Sequence, residues 1–149
     1  MTNKLLIAIA IAIASLDAGS ATAASLDKVN VFLGAVTDHP FSDRDFNENN
    51  KLVAIEYDHI FAGYFNNSYD EDTFALGYRV KKQIFKNIEI SAVVGATYGY
   101  RDCTSGFSET NGKKLCPAIA PMISYTKYKV QPTLAIIGES ISLTAKIDF

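Results

Sequence analysis

The last nine residues, Ile141 to Phe149, alternate without a break. Ile141, Leu143, Ala145, Ile147 and Phe149 fall on one side; Ser142, Thr144, Lys146 and Asp148 fall on the other. A period of two is a β-strand with one apolar and one polar face. The same alternation recurs at about 28–37, 51–58, 61–68, 72–82, 87–101, 117–126 and 129–138. No stretch between these segments carries a convincing 3.6-residue period. The pattern therefore predicts an all-β protein, an eight-stranded antiparallel barrel. Each segment approaches the roughly 9–11 residues that a tilted strand needs to cross a bilayer. Lipid cannot satisfy an open sheet edge, so a membrane sheet has to close. A soluble eight-stranded barrel of the lipocalin kind has the same period and stays open at this point.

The two ends of the chain together favour the membrane barrel, with a soluble periplasmic lipid carrier as a further reading. Met1 to Lys4 is short and basic, and Leu5 to Leu16 is apolar but too short to span a bilayer as a helix. Ala21-Thr22-Ala23 follows as a small-x-small cleavage site. This layout predicts a cleaved signal peptide at 1–23 and a barrel at 24–149. The chain ends on Phe149 after hydrophobics at every second position, which resembles the C-terminal signal of outer-membrane barrels. The expected location is the bacterial outer membrane, as a monomer surrounded by phospholipid and lipid A. Phe149 then lies at the periplasmic end. The short connections near His59, Phe85–Asn87 and Lys127–Tyr128 share that end, and the long ones at 38–50 and 102–116 face outward. Tyr57, Phe61, Phe85, Tyr125, Tyr128 and Phe149 are expected as one interfacial girdle, with Tyr98 and Tyr100 in the other.

Composition narrows the function. The chain has 14 Lys+Arg against 16 Asp+Glu and no long basic run, which argues against a nucleic-acid partner. At 149 residues it is too small for a full dinucleotide-binding fold or a (β/α)₈ barrel. Cys103 and Cys116 are its only cysteines, in a loop rich in Gly, Ser and Thr. In an exported chain such a pair predicts a disulfide, which stabilises by roughly 2–4 kcal/mol. No histidine lies near enough to suggest a metal site, and no cofactor is expected.

Parity divides the lumen. Glu56, Arg79, Lys81, Glu89, Lys146 and Asp148 face inward in the periplasmic half. Mixed charges in a confined space are expected to pair as a plug. The outer half presents small or apolar residues: Gly34, Val36, Leu52, Ala54, Ala75, Gly77, Val93, Gly95, Ala118, Ala120, Ala135 and Ile137. Small side chains leave an eight-stranded lumen unfilled. The expected acyl pocket is an apolar void lined by Gly34, Ala54, Ala75, Gly77, Gly95 and Ala120.

The outer rim collects the reactive candidates. His39 stands in loop 1, and Ser68 follows Asn66-Asn67. A histidine beside a hydroxyl supports acyl transfer with the imidazole as base. The run Asp70-Glu71-Asp72 offers a divalent cation bridging lipopolysaccharide phosphates as another use of this rim.

Three stretches resemble the lipid A palmitoyltransferase family of outer-membrane enzymes. Asp43-Arg44-Asp45-Phe46-Asn47-Glu48 is similar to the family's Asp-Arg-Tyr-Asn-Glu segment. Ala62 to Tyr69 is similar to the segment that carries its Asp-Ser pair, with Asn67 at the aspartate and Ser68 at the serine. Pro117-Ala118-Ile119-Ala120-Pro121 resembles its proline-containing strand start, where missing ladder bonds open a lateral path for lipid. The resemblance implies transfer of an acyl chain from phospholipid to lipid A without a cofactor. It implies His39, Asn67 and Ser68 as the catalytic group. Without gaps the family histidine falls on Leu33, so His39 takes the role through a loop shift. The floor of the acyl pocket falls near Arg79, and a large cation there shortens the pocket. The alternative is a non-catalytic outer-membrane barrel with a surface-binding or structural role. It predicts a filled lumen and separated His39 and Ser68.

Overall fold

A computed structural model describes residues 28–40, 46–101, 103, 109–138 and 140–149. The expected signal peptide at 1–23 and Asp43-Arg44-Asp45 of the loop motif lie outside the described residues. Among the described residues there are nine strands: β1 (Val29–Asp38), β2 (Val53–Tyr57), β3 (Ile60–Asn66), β4 (Asp72–Phe85), β5 (Ile88–Tyr100), β6 (Glu109–Thr110), β7 (Lys113–Tyr125), β8 (Val130–Ile137) and β9 (Ser140–Asp148). Neighbours pair antiparallel around the sheet, and β1 closes on β9. The two-residue β6 only extends the edge of β7, because β5 pairs directly with β7. The result is a closed eight-stranded antiparallel barrel, the fold class expected from the alternation.

The connections divide by length. Turns at 58–59, 86–87 and 126–129 join strands at the end that also holds Phe149. The opposite end carries the long connections after β1 and β5. Tyr57, Phe85, Tyr125, Tyr128 and Phe149 are exposed at the short-turn end. Phe61 is not among them. It is buried in the lumen, where its ring meets Phe32 edge-on at 5.5 Å. Its parity follows from pairing with Gly77, which also faces inward. Tyr100 leaves the outer girdle as well. A register shift between Tyr98 and Tyr100 turns it toward the lumen.

Two further register features differ from simple alternation. Gly34 sits at φ +64°, a conformation open to glycine, and the β1–β9 ladder slips between Leu33 and Val36. The bulge reverses the parity of β1. Phe32 points inward below it, and Ala35 and Thr37 point inward above it. Gly34 and Val36, expected inside, are therefore exposed. β7 also begins at Lys113 rather than near 117, because β5 continues to Tyr100 and supplies a partner as far as Lys114. Cys116 thus lies within a strand, buried opposite Thr97, and is bonded to Cys103.

The short-turn half of the lumen is ionic. Arg79 is fully buried and bonds Glu56 at 2.6 Å and Glu89 at 2.5 Å. Lys81 reaches the second Glu56 oxygen at 3.0 Å. Lys146 joins Glu89 at 3.1 Å and Asp148 at 3.4 Å. All six expected charges are paired, and three cations face three anions. Such a network persists in a low-dielectric interior only because no member lacks a partner. Replacing Arg79 with Met leaves Glu56 and Glu89 facing each other. This variant is expected to lose about 3–5 kcal/mol of stability, the cost of breaking a buried ion pair. Urea titration of the folded protein, followed by tyrosine fluorescence, measures it.

Candidate functional site

The half of the lumen away from the short turns contains a cavity of about 90 Å³. Phe32, Phe61, Val93 and Met122 form its lower wall. Phe32 also packs against Arg79, whose guanidinium carbon lies 5.4 Å from the ring centroid. The ionic layer and this aromatic layer together set the floor. Ala75, Gly95, Ala118, Ala120, Ala135 and Ile137 line the sides. Their small size leaves the space open, and a cavity of this volume holds several small groups.

Of the six residues expected in the pocket, Ala75, Gly95 and Ala120 line it. Ala54 belongs to the packed cluster with Phe32, Phe61 and Val93. Gly77 pairs with Gly95 across β4 and β5, and a Cβ added to it would lie 2.8 Å from Val93 Cγ1. It shapes the wall through close packing. Gly34 faces away because of the bulge.

One seam beside the cavity is only partly closed. β7 and β8 pair through three positions: Met122 with Ala135, Ile123 with Leu134 and Ser124 with Thr133. Above them β7 carries Pro117 and Pro121, which have no N–H to donate to a ladder. Ala118 and Ala120 flank the cavity on one side of this seam, Ala135 and Ile137 on the other.

His39 and Ser68 meet at the mouth. His39 Nε2 lies 2.8 Å from Ser68 Oγ, although 29 residues separate them. Ser68 also contributes to the cavity lining. Two local structures produce the contact. His39 follows the end of β1, and Ser68 sits in the turn after β3. Residues 46–50 run between these strand ends. Asn47 N–H bonds Ser68 C=O at 3.0 Å, and Asn50 N–H bonds Ala35 C=O at 3.0 Å. Asn50 also donates its side-chain amide to Asn66 C=O at 2.7 Å. This segment ties the two strand ends together below the dyad.

Asn67 has a different place from its neighbours. Its side chain is buried, and Oδ1 accepts from the Tyr69 N–H at 2.9 Å and the Glu71 N–H at 3.1 Å. This is the Asx geometry that nucleates a tight turn. Asn67 therefore shapes the loop that presents Ser68 and does not bond the imidazole. No carboxylate among the described residues bonds His39. One face of its imidazole packs on Phe46 instead, with ring centroids 4.5 Å apart. Phe46 meets Tyr69 edge-on at 5.7 Å.

The acidic run of the rim is dispersed. Glu71 pairs with Arg101, and Asp72 accepts from Tyr64 at 2.6 Å and Asn66 at 3.3 Å. Among the described residues no three His, Cys, Asp or Glu side chains converge on a metal position. Sequence reading missed Phe46, Tyr69, Asn50 and Tyr100 as site residues. Phe46 stood in the resembling loop motif, but nothing local indicated that it faces His39. Asn67→Ala removes the acceptor of two turn N–H groups and is expected to cost about 1–3 kcal/mol. Asn67→Asp keeps that acceptor and is expected to retain most of the stability. Urea midpoints of the two variants make the comparison. No model of a known protein family matches the chain, and no curated protein is significantly similar to it.

Proposed function

We propose that this barrel resides in the outer membrane and transfers an acyl chain from a phospholipid to lipid A. The observation that carries the reading is the 2.8 Å contact between His39 Nε2 and Ser68 Oγ above an apolar cavity. In the tautomer with the proton on Nδ1, Nε2 accepts the Ser68 hydroxyl proton. A histidine so placed is a general base, and the hydroxyl it activates is a nucleophile. Ser68 Oγ attacks the carbonyl carbon of the phospholipid ester while His39 takes its proton. The ester C–O bond breaks, and the leaving lysophospholipid oxygen receives that proton. A lipid A hydroxyl then attacks the acyl-serine and gives its proton through His39 to the released Ser68 oxygen. No cofactor enters either step.

The cavity suits the hydrocarbon end of the donor. Its walls are apolar, and its floor lies at Phe32 and Phe61 above the Arg79 network. The layer limits how deep a chain can reach. The weakly paired β7–β8 seam offers a side entry from lipid. Exposed Leu76, Val80, Val94, Ile119, Ile136 and Leu143 give the barrel an apolar outer belt. Large exposed apolar surface is a liability in water and the expected boundary in a bilayer.

A non-catalytic surface barrel is the second reading. The observation in its favour is that Asn67 is committed to its turn and His39 lacks a carboxylate partner among the described residues. Mass spectrometry of lipid A from cells making the protein separates the two. The transferase reading expects a new species heavier by one acyl chain. That species is lost in His39→Ala and in Ser68→Ala, while both variants still show heat-modifiable gel migration. An unchanged lipid A profile with folded wild-type protein supports the non-catalytic barrel.

A further inference from the structure

A base works only while its ring is held at the hydroxyl. In a serine–histidine pair the second ring nitrogen is commonly fixed by a carboxylate, which sets both tautomer and orientation. No carboxylate among the described residues bonds His39. Among the described residues the ring contact it makes is aromatic. Phe46 covers one face at 4.5 Å with a 40° tilt. Tyr69 closes on Phe46 at 5.7 Å and 88°. Tyr69 is the residue after Ser68, and Ser68 bonds back to His39. The contacts therefore form a closed circuit: His39 to Phe46, Phe46 to Tyr69, Tyr69 through one peptide unit to Ser68, and Ser68 to His39. A second tie completes it, because Asn47 N–H, one residue after Phe46, bonds Ser68 C=O.

We infer that Phe46 is a positioning residue that holds the His39 imidazole on Ser68. The inference rests on the acyl-transfer reading of this dyad. Two physical effects support it. The tilted ring contact restricts rotation of the imidazole about its Cβ–Cγ bond that would carry Nε2 away from Oγ. Small misplacements of a reacting pair are costly, on the order of 10²-fold for about 1 Å. The ring face is also an electrostatic partner for the imidazolium that forms when His39 takes the serine proton. Leu at position 46 fills space but provides neither a flat face nor a quadrupole. Tyr provides both.

The test uses the full-length barrel folded in detergent and a long-chain fluorophosphonate as probe. The probe forms a phosphorus–oxygen bond to Ser68 Oγ, and the phosphorus–fluorine bond breaks. Fluoride leaves, and His39 takes the hydroxyl proton. Peptide mass spectrometry locates the label, and its rate is compared among wild type, Phe46→Leu, Phe46→Tyr and His39→Ala. Wild type and Phe46→Tyr are expected to react at similar rates, with Phe46→Leu about ten- to a hundredfold slower. The ring protons of His39 are expected upfield in wild type and Phe46→Tyr and shifted back in Phe46→Leu. Heat-modifiable migration confirms that every variant is folded. If wild type and Phe46→Leu react equally while His39→Ala is slow, the role of Phe46 is overturned and the dyad stands. A Phe46→Tyr variant as slow as Phe46→Leu overturns it too. If wild type reacts no faster than His39→Ala, the inference and the acyl-transfer reading fall together.

Discussion

Arg79 holds three strands to one point. Its guanidinium bonds Glu56 on β2 and Glu89 on β5 from its own place on β4, and its carbon lies over the Phe32 ring of β1. An arginine so buried is tolerable only with its charge matched and its donors used. Lys81, Lys146 and Asp148 complete the matching around it. The consequence reaches beyond the ions. One half of the lumen is occupied and cross-linked, so the other half can stay open without the barrel collapsing. The floor of the cavity is where this network stops and Phe32, Phe61 and Val93 begin.

Above that floor, openness comes from side-chain size. Gly77 and Gly95 lie opposite each other on β4 and β5, and Ala118, Ala120 and Ala135 continue the pattern across β7 and β8. A closed barrel of eight strands is normally filled by its own side chains. Here the residues that would fill it are too small. The same stretch of wall contains Pro117 and Pro121, where the β7–β8 ladder is confined to three pairs. Cavity and seam are thus neighbours. Both arise from residues that supply little, whether side-chain volume or backbone donors.

The rim adds a reactive pair to this scaffold by means of irregular backbone. Residues 46–50 bridge the ends of β1 and β3, and Asn67 folds its own turn to present Ser68. A loop held by backbone hydrogen bonds to two strands positions a side chain more firmly than a free loop does. His39 and Ser68 are brought to 2.8 Å by that framework, and Phe46 packs on the imidazole.

Alternation alone determined the eight strands, the closed antiparallel architecture and the split of the lumen into ionic and small-residue halves. These follow from a period of two, which assigns every residue to a face before any contact is known. The Cys103–Cys116 bond was legible for a simpler reason, since only two cysteines were present. Where alternation failed, the cause was a break in register. The bulge at Gly34 reversed the upper half of β1 and moved Gly34 and Val36 outside, because one extra residue exchanges the two faces. The shift at Tyr100 turned that ring inward, and Phe61 was assigned to the girdle from its position along the chain and not from its face. Only the tertiary structure decided that His39 meets Ser68, that Asn67 serves its turn, and that Phe46 covers the imidazole. The His39–Ser68 contact joins residues 29 apart in the chain, and Asn47 meets Asn67 across 20. Their geometry is set by the strands beneath them, and no local pattern of residues records it.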